Sequence, residues 1–242
     1  MAPTGWRERD LALFVVAHGA WSAGWAWKKM HPLLAARRHR LVTPTLTGLG
    51  ERAHLAHAGI DLEAHIADLV AVLEFEDLRD VILLGHSYGG MVATGVADRA
   101  RDRVAMLVYL DAFAPKDGES AFDILPLATR DQRRAGVGEG WSIPPGPMPP
   151  DTPDADKEWA APRRRPQPLK TFEQKLQFKN GELTLPRHYI YCTRRAPDDR
   201  FRTFYERATR EGWGAHAIDA SHNPHITAPE ALADLLDRIA AR

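Results

Sequence analysis

Hydrophobic residues along this chain fall into two patterns that take turns: short unbroken runs, and stripes at helical spacing. The runs are 11–17, 81–84 and Val104–Leu110; weaker strand signals stand at 41–46, 188–193 and 215–219. Unbroken apolar runs of this length predict strands covered on both faces, as in a parallel sheet. Between them the spacing changes. Trp25, Trp27, Met30, Leu33 and Leu34 recur at helical intervals. Within 60–75, Leu62, Ile66, Leu69, Val70 and Leu73 make one stripe, and Asp61 supplies an N-terminal signal. Met91, Val92 and Val96 predict a helix to about Arg99, a further helix covers 201–210, and Leu232, Leu235, Leu236 and Ile239 mark a closing helix over 229–241. Strands alternating with helices predict an α/β fold with a doubly wound, mostly parallel sheet. Ligands in such sheets lie beyond the carboxyl ends of the strands. No internal repeat is visible.

The alternation stops after Asp111-Ala112-Phe113. Residues 114–186 are rich in proline and interleave Phe122, Trp141, Trp159, Phe172 and Phe178. The stretch is too long for a simple loop and too aromatic for a flexible linker. It predicts a mainly helical cap inserted into a core made of 1–113 and 187–242.

One stretch carries the chemistry. Gly85-His86-Ser87-Tyr88-Gly89 fits Gly-x-Ser-x-Gly, with an apolar strand before it and a helix after it. That context predicts a nucleophile elbow, in which glycines let a strained turn pass close to strand and helix. The turn lifts the Ser87 hydroxyl above the sheet and leaves the Tyr88 N–H at a helix start, where an anion is stabilised. A serine nucleophile needs a base, and the base an orienting acid. After the last strand comes Ser221-His222-Asn223-Pro224-His225. His222 is first after the strand and is the expected base; His225 is its competitor. Two positions could supply the acid in the order serine, acid, histidine. Asp111 ends an apolar strand, where a carboxylate is expensive without a purpose. Asp198 and Asp199 lie beyond the 188–193 strand but directly precede a helix, which suits caps. Asp111 is favoured and Asp198 is the fallback. The second oxyanion donor is expected at Ala20 or Trp21, after His18-Gly19 in the loop that follows the first strand. His18 reads as structural.

Composition excludes several classes. Lys+Arg and Asp+Glu balance at 32 each, so no net field draws the chain to nucleic acid or an anionic membrane. The 11–17 run is too short for a signal peptide or a membrane span, which predicts a soluble, cytoplasmic protein. A single cysteine, Cys192, excludes an internal disulfide framework and reads as a buried strand thiol. His54, His57 and His65 cluster in sequence but lack cysteine or carboxylate at ligand spacing, so they read as solvated histidines, and no metal or cofactor is implied. Arg163-Arg164-Arg165 reads as a solvent-facing cap surface.

His18-Gly19-Ala20-Trp21, the helix from Trp25, Thr47-Gly48-Leu49-Gly50, the elbow and the stretch from Ser221 to Pro229 together resemble the α/β-hydrolase superfamily. The likeness is closest to the branch holding plant methyl esterases, hydroxynitrile lyases and bacterial esterase relatives. It implies Ser87 as nucleophile, His222 as base, and Ala20 and Tyr88 as oxyanion donors. Two departures matter. The plant enzymes carry the acid shortly after a Cys-Thr pair; here Cys192-Thr193 is followed by Arg194-Arg195, which favours Asp111. The lyases keep a lysine after the catalytic histidine and a threonine in the first oxyanion loop; here Asn223 and Gly19 stand there. Hydrolysis is therefore expected. The substrate would be a small, largely apolar ester, with Trp21, Phe113, Phe122 and Trp141 as candidate pocket residues and the protein a monomer or homodimer. Carbamate or amide hydrolysis, a cyanohydrin lyase and a non-catalytic receptor on the same fold are the alternatives.

Overall fold

Six strands pair into one parallel sheet, in the order Arg40–Val42, Leu13–Ala17, Val81–His86, Val104–Leu110, Arg187–Cys192 and Gly214–Ile218. The structure is a computed structural model and describes residues 11–194 and 199–241. Its strands are β1 (Leu13–Ala17), β2 (Arg40–Val42), β3 (Val81–His86), β4 (Val104–Leu110), β7 (Arg187–Cys192) and β8 (Gly214–Ile218); β5 (Ser142–Ile143) and β6 (Gln167–Pro168) form a separate antiparallel pair. Across the centre Val15 lies opposite Leu83 and Leu84 opposite Val108, and the β3–β4 register shifts by one residue between Val81 and Ile82.

Both faces of the central strands are covered, which is why β1, β3 and β4 read as unbroken apolar runs, whereas the edge strands β2 and β8 are only partly buried. Val15 and Ala17 point into one core, with Leu69 and Leu73 of α2 (Leu62–Phe75) and Met91 and Val96 of α3 (Gly89–Arg99). Phe14 and Val16 point into the other, with Met30 and Leu34 of α1 (Met30–Ala36) and Leu232 and Leu236 of the C-terminal helix Pro229–Ala240. This is the period-two alternation of a strand serving two layers. Asp61 caps α2, its carboxylate accepting from Ala64 N at 2.9 Å.

One strand expectation changes. The run 41–46 pairs only over Arg40–Val42: Pro44 has no N–H for a ladder, and Thr45 instead accepts from Gly24 N at 3.0 Å. The loop 47–58 contains a 3₁₀ turn over Gly50–Leu55. Between β4 and β7 lie the short helices α4 (Ala121–Ile124), α5 (Leu127–Val137), α6 (Asp154–Ala160) and α7 (Lys170–Glu173) together with the β5–β6 pair. Helices α8 (Arg202–Arg210), α9 (Pro224–Thr227) and α10 (Pro229–Ala240) complete the chain. Among the described residues no helix is long and apolar enough to cross a membrane. The polar N-terminal ten residues, Arg195 and the fallback acid Asp198 lie outside the described residues.

Candidate active site

The strand order reverses at β1: the chain goes outward to β2, then returns to β3 on the other side. Loops after β1 and β3 thus diverge from one crevice at the strands' carboxyl ends. Ser87 stands at that crevice with φ 54°, a left-handed conformation that costs a non-glycine residue free energy. The turn is held by backbone bonds: Ser87 N donates to Leu110 O at 3.3 Å, and Phe113 N and Gly90 N both donate to Ser87 O at 3.1 Å. Glycines let it close. A Cβ on Gly89 would stand 1.9 Å from Ala17 O, and one on Gly90 1.9 Å from Phe113 O. Tyr88 precedes α3, so its N–H lies at the positive end of that helix.

His222 and Asp111 converge on the serine. His222 Nε2 lies 3.0 Å from Ser87 Oγ and Nδ1 lies 2.7 Å from Asp111 Oδ2. The carboxylate only accepts, so Nδ1 carries the proton and Nε2 is left to accept from the serine hydroxyl. Asp111 is fully buried, with its own φ at 43°. Its N–H donates to Ile190 O at 2.8 Å, and its Oδ1 accepts from Cys192 N at 3.2 Å. Phe201 lies flat on the His222 ring, centroids 5.1 Å apart, and His86 Nε2 donates to the His222 carbonyl at 2.8 Å. Burial, then the neighbouring His222, lowers the His86 pKa to about 3, so His86 is neutral beside the base. His225 is buried and stacked on Trp27 at 4.5 Å, and burial holds its pKa well below the usual value. Of the other acids after β7, Asp199 accepts from the Tyr191 hydroxyl.

The loop after β1 is pinned by His18. Its Nε2 accepts from Leu46 N at 3.1 Å, so Nδ1 carries the proton and donates to Gly19 O at 2.9 Å. Burial lowers its pKa to about 4. The Gly19 carbonyl shares a peptide plane with Ala20 N–H, so His18 fixes where that N–H points. Trp21 N donates to Gln167 Oε1 at 3.2 Å, which leaves Ala20 of the two donor positions.

His65 corrects the reading of a solvated histidine cluster. His54 and His57 are exposed, but His65 is fully buried, three residues after Leu62 on the apolar stripe of α2. Its Nε2 donates to Thr47 O at 2.9 Å, so its Nδ1 accepts from the Tyr88 hydroxyl at 3.0 Å. The helical spacing to Leu62 and Leu69 was the available signal. Burial lowers the His65 pKa to about 4. Among the described residues no group of side chains is arranged to hold a metal ion. Cys192 is buried.

Above Ser87 opens a cavity of about 1070 Å³. Trp21 and Phe113 line it; Phe122 and Trp141 do not. Phe122 packs against Phe172, ring centroids 5.6 Å apart, with the Arg134 guanidinium 5.0 Å from its ring centroid. Trp141 is 38% exposed on the outer surface. The wall includes residues the sequence did not single out, among them Arg133, Met148 and Ile226. Arg133 sits over the Trp21 ring at 4.7 Å. The basic run also divides: Arg163 and Arg165 are exposed, whereas Arg164 is half-buried and lines the cavity. Its side chain donates to Gly146 O, turning it inward from the surface.

A model of the alpha/beta hydrolase family matches residues 14–235. The chain is 38% identical over 239 residues to a carbendazim hydrolyzing esterase of a Nocardioides species, covering 93% of this chain and 98% of that one. An extracellular alpha/beta-hydrolase from a Paenibacillus species, described as a structural and functional homologue of tobacco salicylic acid binding protein 2, superimposes with a TM-score of 0.81 at 27% identity, over 94% and 98% of the two chains. A pyrethroid hydrolase from Sphingobium faniae superimposes at 0.67 with 25% identity, over 96% and 98%. The similarity supports a hydrolase of the ester or carbamate kind.

Proposed function

The chain belongs to the alpha/beta hydrolase family, and from that premise we propose that it is a serine esterase whose site also accepts carbamates. The observation that carries the reading is the unbroken line from Asp111 Oδ2 through the His222 ring to Ser87 Oγ, at 2.7 and 3.0 Å, at the base of an apolar cavity. Ser87 is the nucleophile. As its oxygen bonds to the substrate carbonyl carbon, its proton passes to His222 Nε2. The imidazolium, held by Asp111, then protonates the leaving alkoxide as the carbonyl–oxygen bond breaks. Water, deprotonated by the same nitrogen, attacks the acyl-enzyme and releases the acid and Ser87. The N–H groups of Ala20 and Tyr88 stabilise the oxyanion at each tetrahedral stage.

Residues 114–186 act as the cap that selects the acyl group, with Trp21 and Phe113 favouring a flat, apolar substrate. A carbamate on a flat, apolar body suits that wall, and the 38% relative is named a carbendazim hydrolyzing esterase. Asn223, in the position after the base, brings no positive charge to stabilise departing cyanide, so hydrolysis is preferred to lyase chemistry.

The test is turnover of p-nitrophenyl acetate and a matched methyl carbamate by the wild type and by Ser87→Ala. Turnover of the ester that falls to background in the variant is expected. Equal turnover in both proteins would sink the mechanism. Cyanide release from mandelonitrile without ester turnover would favour the lyase, and a fluorophosphonate that leaves Ser87 unlabelled would favour the receptor.

A further inference from the structure

Trp21 is held at three polar groups by residues of the 114–186 stretch. Its backbone N–H donates to Gln167 Oε1 at 3.2 Å, its carbonyl accepts from Arg165 N at 3.4 Å, and its indole Nε1 donates to Ile143 O at 2.9 Å. All three partners belong to, or adjoin, the β5–β6 pair, which carries no catalytic side chain. Trp21 itself has φ 60°, a left-handed conformation that a bulky residue adopts only when its surroundings enforce it.

Gln167 is the centre of this clamp. It is fully buried, and both ends of its amide are used: Oε1 accepts from Trp21, and Nε2 donates to Thr171 Oγ1 at 2.8 Å. Thr171 in turn donates to Pro168 O at 2.6 Å, which fixes the amide against its own strand. The two flanking peptides of Ala20 are therefore both fixed. His18 holds the Gly19–Ala20 plane through the Gly19 carbonyl, and Gln167 holds the Ala20–Trp21 plane through the Trp21 N–H.

We propose that Gln167 is a positioning residue for the reaction: through Trp21 it fixes the peptide that follows Ala20 and so holds Ala20 in place while His18 points its N–H at the oxyanion, so the inserted stretch sets transition-state stabilisation as well as substrate choice. The proposal rests on the serine-hydrolase reading. An oxyanion donor works when it is preorganised at hydrogen-bond distance from an oxygen that forms only in the transition state. A small misalignment leaves substrate binding almost intact and removes part of that stabilisation. The expected signature is therefore a loss in kcat with little change in KM.

Gln167→Met keeps the volume and removes both polar ends; Gln167→Glu restores an acceptor for Trp21 N–H, with the Thr171 hydroxyl turning from Pro168 O to donate to the second oxygen. In Gln167→Met, kcat for p-nitrophenyl acetate is expected to fall about tenfold or more with KM within about twofold. Affinity for an alkyl boronic acid, which forms a tetrahedral adduct on Ser87, should fall by the same factor, while affinity for the carboxylic acid product holds. Gln167→Glu should recover most of the loss. Amide hydrogen exchange over residues 19–22 should speed up in Gln167→Met and slow again in Gln167→Glu, whether or not the chain is active.

Unchanged kcat and unchanged exchange in Gln167→Met would overturn the proposal, as would equal losses of boronic acid and product affinity. If Gln167→Met does not fold, Gln167→Glu alone decides: the same exchange over 19–22 and the same kcat as the wild type uphold the clamp, and faster exchange with wild-type kcat overturns it. Faster exchange in Gln167→Met beside a wild type that turns over no ester would leave the clamp standing and remove the hydrolase reading instead.

Discussion

Ser87 and Asp111 both hold left-handed backbone angles, φ 54° and 43°, at the ends of adjacent strands. Neither is a glycine, so each stores strain that its neighbours enforce. For Asp111 the enforcement is visible in its N–H to Ile190 and its carboxylate to Cys192 N. The carboxylate dictates the His222 tautomer. An asparagine there can present its Nδ2 hydrogens to the ring, which turns Nδ1 into the acceptor and points an N–H at Ser87. Asp111→Asn is therefore expected to lower kcat by roughly 10³–10⁴ while the fold persists, read as ester turnover beside an unchanged circular dichroism spectrum. Fluorophosphonate labelling of Ser87 should slow in parallel. Labelling at the wild-type rate would show that Asp111 does not orient the base.

At the scale of elements, α3 and the turn after β4 approach more closely than side chains allow. Gly90 meets the backbone carbonyl of Phe113, which cannot move without shifting the turn that carries Asp111. Gly90→Ala should cost more than about 2 kcal/mol, measured as a lower denaturant midpoint, and should reduce turnover as well. A wild-type midpoint would mean the turn relaxes freely. The far end of α3 is fixed differently. Asp98 is fully buried and accepts from Lys179 N at 2.7 Å, Asn180 N at 3.1 Å and Arg101 at 3.1 Å. Asp98→Ala strands these donors and is expected to cost about 3 kcal/mol with turnover at low temperature retained. A variant as stable as the wild type would show that water replaces the carboxylate.

For the molecule as a whole, buried histidines set the acid side of stability. His18 and His65 have pKa values lowered to about 4 and His86 to about 3, each chiefly by burial. Between those values and about 6.5, the unfolded chain binds protons that the folded chain refuses, so stability falls as pH falls through that window. At pH 5 each group contributes a loss of about 2 kcal/mol relative to neutral pH. Urea midpoints should drop steeply between pH 7 and pH 5, and His65→Gln should flatten part of that slope. A midpoint independent of pH over this range would contradict the burial.

Sequence alone determined the periodic part of this protein. Apolar runs and stripes specify strands and helices because burial on two faces or one leaves a local imprint, and the elbow is legible because its glycines and serine are contiguous. His222 was legible from its place after the last strand. Tertiary structure decided what depends on residues far apart in the chain. It brought Asp111 to His222, 111 residues away, and set Asp199 against Tyr191. It moved Phe122 and Trp141 out of the cavity and Arg164 into it, because the 114–186 stretch has no long period from which a face could be read. It buried His65 and joined Gln167 to Trp21 across 146 residues. A hydrogen bond between distant side chains leaves no spacing in the sequence; its partners are chosen by the packing of the elements that carry them.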